Sequence, residues 1–183
     1  SRKDYYNRMV LFFVNYILVE KNIFNNNECD EIIEMYKDNC IEAKHKYLGY
    51  LYKDINDFKY IKKLHGVIEK YKTKFKEINL TASKWKLNNI RFKHFKPGNS
   101  FNSWHSEHNL TFPNRLLSIQ VYLSNHNCGT EFFNGNIIMS ELGKVVLFPA
   151  YFTHTHRGQS CPDNQDRYLL TSYLEFNEKG DLE

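Results

Sequence analysis

The sequence predicts a mainly β protein with supporting helices, an α+β fold with helical patterns in its first half and short strands in its second. The length of 183 residues suits one domain with a single hydrophobic core. Aromatic residues make up 16% of the chain, which favours β-structure. Because no linker separates the halves, we expect one domain over residues 1–183, with a helical part at about 16–84 and a β core at about 85–176.

The first half carries one strand pattern and two helix patterns. Tyr16–Val19 is a short strand candidate. Asn26 and Asn27, which are good N-caps, precede a helix over Cys29–Lys37 with acidic residues in its first turn. Apolar residues at helical spacing predict a second helix over about Asn56–Glu77, whose lysines fill the opposite, solvated face.

From Trp85 onwards the hydrophobic period changes to two, which indicates strands. Turn residues separate the strand candidates from one another. Many short strands at close spacing predict a sandwich, a barrel or a jelly roll. The candidates are Trp85–Phe95, Leu116–Leu123, Thr130–Phe133, Asn136–Met139, Lys144–Phe148 and Arg167–Phe176.

The net charge, the longest apolar run and the spacing of the cysteines limit which partners and which cellular compartment we expect. The net charge is only +4 and its charges are dispersed, so we expect no nucleic-acid partner. The longest apolar run, Met9–Val19, is too short to span a bilayer, so we expect no membrane partner. The four cysteines, Cys29, Cys40, Cys128 and Cys161, lie far apart without a CxxC pair. We therefore expect four free thiols in a soluble protein of a reducing, cytoplasmic compartment.

Two groups of histidines in the β half predict a metal site. His105 and Glu107 form an H-x-E, and residues i and i+2 of a strand lie on one face. About 50 residues later, His154 or His156 offers a further imidazole. Two histidines and one carboxylate leave coordination positions open, as in non-haem Fe(II) enzymes that bind a co-substrate and O₂. Either motif alone occurs often by chance, so the prediction depends on finding both together.

A cation and a hydroxyl accompany these ligands. Arg167 follows His156 by 11 residues and opens the last strand candidate. A buried arginine at that place can hold a carboxylate through a bidentate fork. Tyr122, near the end of another strand candidate, offers a hydroxyl to the same carboxylate.

The β half carries in order Trp104–Glu107, Arg115–Ser124, Cys128–Phe132, Gly143–Pro149, Thr153–Gly158 and Arg167–Tyr168. This ordered set resembles the Fe(II)- and 2-oxoglutarate-dependent dioxygenases, in the branch similar to prolyl 4-hydroxylases. The resemblance is strong over about residues 85–176 and weaker over Tyr16–Lys37. It implies a double-stranded β-helix, a cupin-like jelly roll with iron at its open mouth and with N-terminal helices packed on one sheet.

The resemblance also implies which residues bind the metal. His105, Glu107 and His156 match the Fe(II) ligands of the family. His156 is preferred to His154 because the family's distal histidine lies just before a small residue or Gly, about ten residues before the basic anchor. That anchor corresponds to Arg167. Most members have Asp in place of Glu107, whose side chain is one methylene longer and still able to reach the iron.

The co-substrate site follows from the same resemblance. Arg167 and Tyr122 match the residues that hold the C5 carboxylate of 2-oxoglutarate, and Thr171 on the same strand face adds a weaker bond. Phe95 and Phe101 stand where some members have Tyr, so one hydrogen bond to the co-substrate is expected to be missing.

The activity implied is O₂-dependent hydroxylation of a C–H bond, foremost in a prolyl residue of a peptide or protein, with ascorbate in support. One alternative is a hydroxylase of a free amino acid or small metabolite. Another is a non-catalytic, cupin-like metal- or ligand-binding protein, and a third is a structural jelly roll without metal. Substrate choice is expected to lie with three mouth loops: the loop after Leu51, His108–Asn114 and Cys161–Asp166.

Overall fold

The computed structural model describes residues 15–45, 48–81 and 84–177, so most of the Met9–Val19 run lies outside the described residues. Two α-helices form within these ranges, α1 (Asn26–Tyr36) and α2 (Phe58–Lys74). The strands are β1 (Leu18–Glu20), β2 (Ile41–Glu42), β3 (Leu51–Ile55), β4 (Trp85–Leu87), β5 (Ile90–Phe95), β6 (Arg115–Tyr122), β7 (Gly129–Phe132), β8 (Ile137–Met139), β9 (Val145–Pro149), β10 (His156–Gly158) and β11 (Arg167–Phe176).

The strands build two antiparallel sheets. The larger sheet has the order β1-β9-β6-β11-β5-β3-β2, and β4 also pairs with β11. The smaller sheet has the order β10-β7-β8. Neighbours in both sheets are mostly distant in sequence, which is the topology of a jelly roll and confirms the predicted fold class. That residues 1–183 form a single domain stays a prediction.

Both helices pack on the outer face of the larger sheet. The side chain of Asn25 caps α1 in a reciprocal capping box with Glu28, one residue before the predicted caps. Asp57 caps α2. The buried apolar residues of the helices and of the sheet form one cluster, which holds the larger sheet rigid from behind. Its members include Cys29, Ile32, Leu64, Val67, Tyr71, Ile119, Val121 and Leu170.

A second apolar cluster lies between the two sheets. Phe132 of the smaller sheet packs edge-on against Phe148 of the larger sheet, with ring centroids 5.0 Å apart. This cluster fixes the spacing of the sheets on which the site is built. Its buried members are Ile17, Phe95, Tyr122, Phe132, Val146, Phe148 and Leu169.

Some strand boundaries differ from the sequence prediction. The Trp85–Phe95 candidate splits into β4 and β5 at Asn88, whose carbonyl accepts a hydrogen bond from the Ser172 hydroxyl of β11. The strands β2, β3 and β10 were not predicted. Lys53 and Asp54 interrupt the apolar alternation of β3, which is held by its pairing with β5.

The prediction of four free thiols is wrong, because Cys128 forms a disulfide with Cys161. The two cysteines are 33 residues apart in sequence, so their proximity is not visible there. The pairing of β10 with β7 brings the chain that follows β10 back to Cys128. The Gln159 N–H donates to the Gly129 carbonyl at this place, and the two Cys Cα atoms lie 5.0 Å apart. The thiol argument for a reducing compartment therefore no longer holds. None of the helices in the described ranges is long and apolar enough to cross a membrane.

Candidate active site

His105, Glu107 and His156 converge where the two sheets meet. The backbones of His105 and His156 form an antiparallel bridge through two hydrogen bonds of 3.0 and 2.9 Å. Glu107 Oε1 lies 3.6 Å from Nε2 of His105 and 3.9 Å from Nε2 of His156. One ligand atom from each residue lies within 4.8 Å of the other two, so a single cation can bind all three.

Hydrogen bonds to backbone carbonyls fix the orientation of both imidazole rings. The Nδ1 atom of His105 lies 2.8 Å from the Ser103 carbonyl, and that of His156 lies 3.0 Å from the His154 carbonyl. A carbonyl only accepts, so each Nδ1 carries a proton, and Nε2 is the ring nitrogen that lies nearest to Glu107. Such partners fix the tautomer and the ring orientation of metal-binding histidines.

Arg115 holds the carboxylate of Glu107 from the other side. Its Nη1 donates to Oε2 at 2.8 Å, which leaves Oε1 directed at the two histidines. The guanidinium is stacked between the rings of Phe112 and Tyr173, 3.6 and 3.5 Å from the centroids. The longer side chain of Glu107 is therefore fixed in a geometry that presents one oxygen to a metal.

The surroundings set the protonation states of Glu107 and His156. Burial alone would raise the pKa of Glu107, but the close approach of His105 and the charge of Lys93 hold it well below its usual range. Burial, reinforced by the charge of His105, lowers the pKa of His156 to about 4. At neutral pH the site therefore offers a carboxylate and a neutral imidazole, the forms that bind divalent cations.

An inner cavity leads from the three ligands to Arg167, and orphaned polar atoms line it. His156 Nε2, Arg167 Nε and Thr171 Oγ1 are buried without a hydrogen-bond partner. Buried polar groups are normally paired, so these atoms indicate a polar ligand in the cavity. A divalent cation would satisfy His156 Nε2, and an oxygen-rich anion would satisfy Arg167 Nε and Thr171 Oγ1. The cavity measures about 40 Å³, so its walls must shift to admit 2-oxoglutarate.

The Arg167 guanidinium is well placed to pair with an anion. Its Nη1 donates to the Gln159 carbonyl at 3.1 Å and lies 3.2 Å from Cys128 Sγ, and the group stacks 4.5 Å from the ring centroid of Phe95. No carboxylate among the described residues pairs with it at ion-pair distance. Arg167 itself is only 3% exposed, so a carboxylate bound here is well shielded from water.

Tyr122 lines the same cavity, but its hydroxyl is already engaged. It lies 2.7 Å from Thr130 Oγ1, which in turn donates to Gln120 Oε1 at 2.8 Å. Burial raises the pKa of Tyr122 to about 12, so the hydroxyl stays protonated. The sequence prediction missed Gln120 and Thr130, since their place in the cavity depends on strand pairing.

An outer groove of about 850 Å³ is lined by His105 and Glu107 and opens towards solvent. Its wall includes Asn109 and Phe112, from the predicted mouth loop 108–114, whereas the 161–166 loop does not line it. Residues 43–45 and Leu48 line it instead of a loop after Leu51, which lies within β3. Lys93 lines both the groove and the inner cavity, a position that sequence analysis did not identify.

His154 takes no part in the site. Its Nε2 donates to the Asn15 carbonyl at 2.6 Å, and its ring lies outside the inner cavity. Only its backbone carbonyl serves the site, by orienting His156. His156 is thus the histidine that the fold brings to His105 and Glu107.

No protein-family model and no curated protein matches the sequence. Among solved structures, a viral collagen prolyl hydroxylase from Paramecium Bursaria Chlorella virus-1, in complex with 2-oxoglutarate, aligns at a TM-score of 0.70 and 16% identity, covering 90% of this chain and 98% of that one. A Trichoplax adhaerens prolyl hydroxylase, in complex with a hypoxia inducible factor peptide fragment, aligns at 0.69 and 11% identity, covering 95% and 90%.

A third structure, HygX from Streptomyces hygroscopicus with nickel and 2-oxoglutarate bound, aligns at a TM-score of 0.62 and 9% identity, covering 92% of this chain and 86% of that one. These alignments span nearly the whole of each protein, although sequence identity is low. The chain therefore has the double-stranded β-helix fold found in prolyl hydroxylases and other 2-oxoglutarate oxygenases.

Proposed function

We propose that the protein is an Fe(II)- and 2-oxoglutarate-dependent dioxygenase that hydroxylates a prolyl residue in a peptide. The observation that carries the proposal is the shared cavity. Three candidate metal-ligand atoms lie at one end, and the buried Arg167, which has no carboxylate partner among the described residues, lies at the other. A metal site alone would not need that arginine. The pair of features suits a bound metal together with a dicarboxylate.

Each residue of the site has a role in this proposal. His105, Glu107 and His156 hold Fe(II), which supplies O₂ activation coupled to oxidation of 2-oxoglutarate. Arg167 binds the far carboxylate of 2-oxoglutarate, and Thr171 donates its free hydroxyl to it. The side chains of Phe95, Phe101 and Leu169, together with Tyr122, line the inner cavity and exclude water from it. The low local dielectric strengthens the ion pair between Arg167 and the carboxylate of 2-oxoglutarate.

The outer groove and the comparisons support a peptide substrate. A groove of about 850 Å³ lies in the range of sites that enclose ligands much larger than one amino acid. Two of the structurally similar proteins are prolyl hydroxylases, and one of them holds a peptide. Ascorbate would act as a supporting reductant, as the resemblance implies.

A hydroxylase of a free amino acid or small metabolite is the second candidate, because the same triad and Arg167 would serve it. A non-catalytic cupin-like binder is the third. Retention of the unpaired atoms of Arg167 and Thr171 disfavours the binder, since a metal site without co-substrate leaves them unsatisfied at a cost in stability.

Succinate release tests the proposal. The purified protein with Fe(II), ascorbate and O₂ should convert 2-oxoglutarate to succinate, and a proline-containing peptide should raise the rate and gain one oxygen atom by mass spectrometry. His156→Ala should abolish both, whereas the matched variant His154→Ala should keep most activity. Stimulation by a free amino acid but by no peptide would establish the second candidate. Bound iron without any succinate would establish the third.

A further inference from the structure

The outer groove contains one partly buried cation, Lys93, whose ammonium makes no direct ion pair within the described part of the chain. Arg91 is paired with both carboxylate oxygens of Asp54, at 2.7 and 3.0 Å. Arg115 is paired with Glu107. The ammonium of Lys93 forms neither an ion pair nor a hydrogen bond with any residue in the described ranges, and its Nζ lies 4.7 Å from the ring centroid of Tyr50. Glu107 acts on Lys93 only through its charge, because its carboxylate is paired directly with Arg115, so the N–H donors of the Lys93 ammonium stay available.

Strand register places this charge between the co-substrate end and the substrate groove. In the pairing of β5 with β11, Phe95 lies opposite Arg167 and Lys93 lies opposite Leu169. Lys93 and Arg167 are therefore on the same face of the sheet, in neighbouring pairs of residues. Residues two apart on a strand are separated by about 7 Å. Lys93 lines the inner cavity and the outer groove together. An anion bound to it thus lies beside the metal site, on the side open to a substrate.

A partly buried ammonium without a partner is unfavourable, because it loses hydration and gains no ion pair. Its Tyr50 contact is a cation–π interaction, which leaves the N–H groups of the ammonium free to donate. A carboxylate entering the groove would accept those hydrogen bonds. The ammonium is a point charge with rotatable donors, so it tolerates a range of carboxylate directions.

We propose that Lys93 binds a carboxylate of the prime substrate, and that the protein prefers peptides with an acidic residue next to the target proline. This rests on the proposed function and names its substrate class. Arg167 already serves the far carboxylate of the co-substrate, so Lys93 is available to the substrate. Tyr52 and Phe112 also line the groove, whose volume of about 850 Å³ gives room for the residues that flank the proline.

Direct binding tests this independently of turnover. The probes are two proline-containing peptides that differ only in Glu or Gln beside the proline, together with free proline. Each is titrated calorimetrically into the full chain loaded with Ni(II) and 2-oxoglutarate. We expect the Glu peptide to bind about tenfold to a hundredfold more tightly than the Gln peptide. Lys93→Met, which keeps the apolar stem, should remove this difference, and Lys93→Arg should restore part of it.

Lys86→Met is the matched control, because Lys86 is exposed on β4 in the same sheet and should leave the preference intact. Equal binding of the two peptides by the unaltered protein would overturn the proposal. So would weaker 2-oxoglutarate binding in Lys93→Met with an unchanged peptide preference, since Lys93 would then serve the co-substrate. Tighter binding of free proline than of either peptide would also overturn it. Succinate release is measured separately, so failure of the dioxygenase proposal would be seen there and not in these titrations.

Discussion

Replacement of Arg167 by glutamine removes the charge that we assign to 2-oxoglutarate binding. The side chain is 3% exposed and its Nε has no partner, so a carboxylate placed there pairs in a water-poor environment. Loss of one partner of a buried ion pair costs ~3–5 kcal/mol. With ~1.4 kcal/mol for each factor of ten, Arg167→Gln should weaken 2-oxoglutarate binding by about a hundredfold to a few thousandfold.

The assay is calorimetric titration of 2-oxoglutarate into Ni(II)-loaded protein. Metal content should stay stoichiometric in Arg167→Gln, because the three metal ligands are untouched. Arg157→Gln is the control: Arg157 lies on the adjacent β10, is paired with Glu131 at 2.9 Å and stacks on Trp104, outside the inner cavity. An unchanged 2-oxoglutarate affinity in a folded, metal-loaded Arg167→Gln protein would refute the assignment of this residue.

Three further predictions concern the metal site and the thiols. Arg115→Gln should weaken metal binding by about tenfold to a hundredfold, measured by competition with a chelator, because Glu107 loses the group that orients it; unchanged metal affinity would contradict this role. For His156, the lowered pKa of about 4 against the ordinary 6.5 means that the unfolded chain binds more protons between these values, so the metal-free protein loses stability as pH falls through that window. In urea titrations His156→Gln should lose about 3 kcal/mol less than the unaltered protein between pH 7 and pH 4, and parallel losses would contradict this. Thiol titration in denaturant without reductant should find two free groups, Cys29 and Cys40, and a count of four would contradict the disulfide.

The convergence of His105 and Glu107 could be predicted because its signal is local. His105 and Glu107 are two residues apart, and in an extended chain such residues lie on one face whatever the rest of the fold is. The place of Arg167 at the start of a long strand was equally visible. The choice between His154 and His156, however, came from the family resemblance, and the structure supplies its physical basis: only His156 pairs with His105 across the sheets.

The remaining features depend on contacts between distant segments. Lys93 faces the site through the pairing of β5 with β11, and Arg115 reaches Glu107 through a chain reversal at residues 108–114. The Cys128–Cys161 disulfide depends on β10 pairing with β7. None of these pairings leaves a periodic pattern in the sequence, so propensity and spacing could not predict them. The strand β10 is also too short for alternation to be detected.

The central claim is that this cavity couples O₂ to 2-oxoglutarate at the His105, Glu107 and His156 site. The most direct measurement is mass spectrometry of succinate formed by the Fe(II)-loaded protein under O₂ labelled with heavy oxygen. The account predicts succinate that carries one labelled oxygen atom, formed by the unaltered protein and not by His156→Ala. Iron bound at full occupancy with no succinate, or succinate without the label, would contradict it.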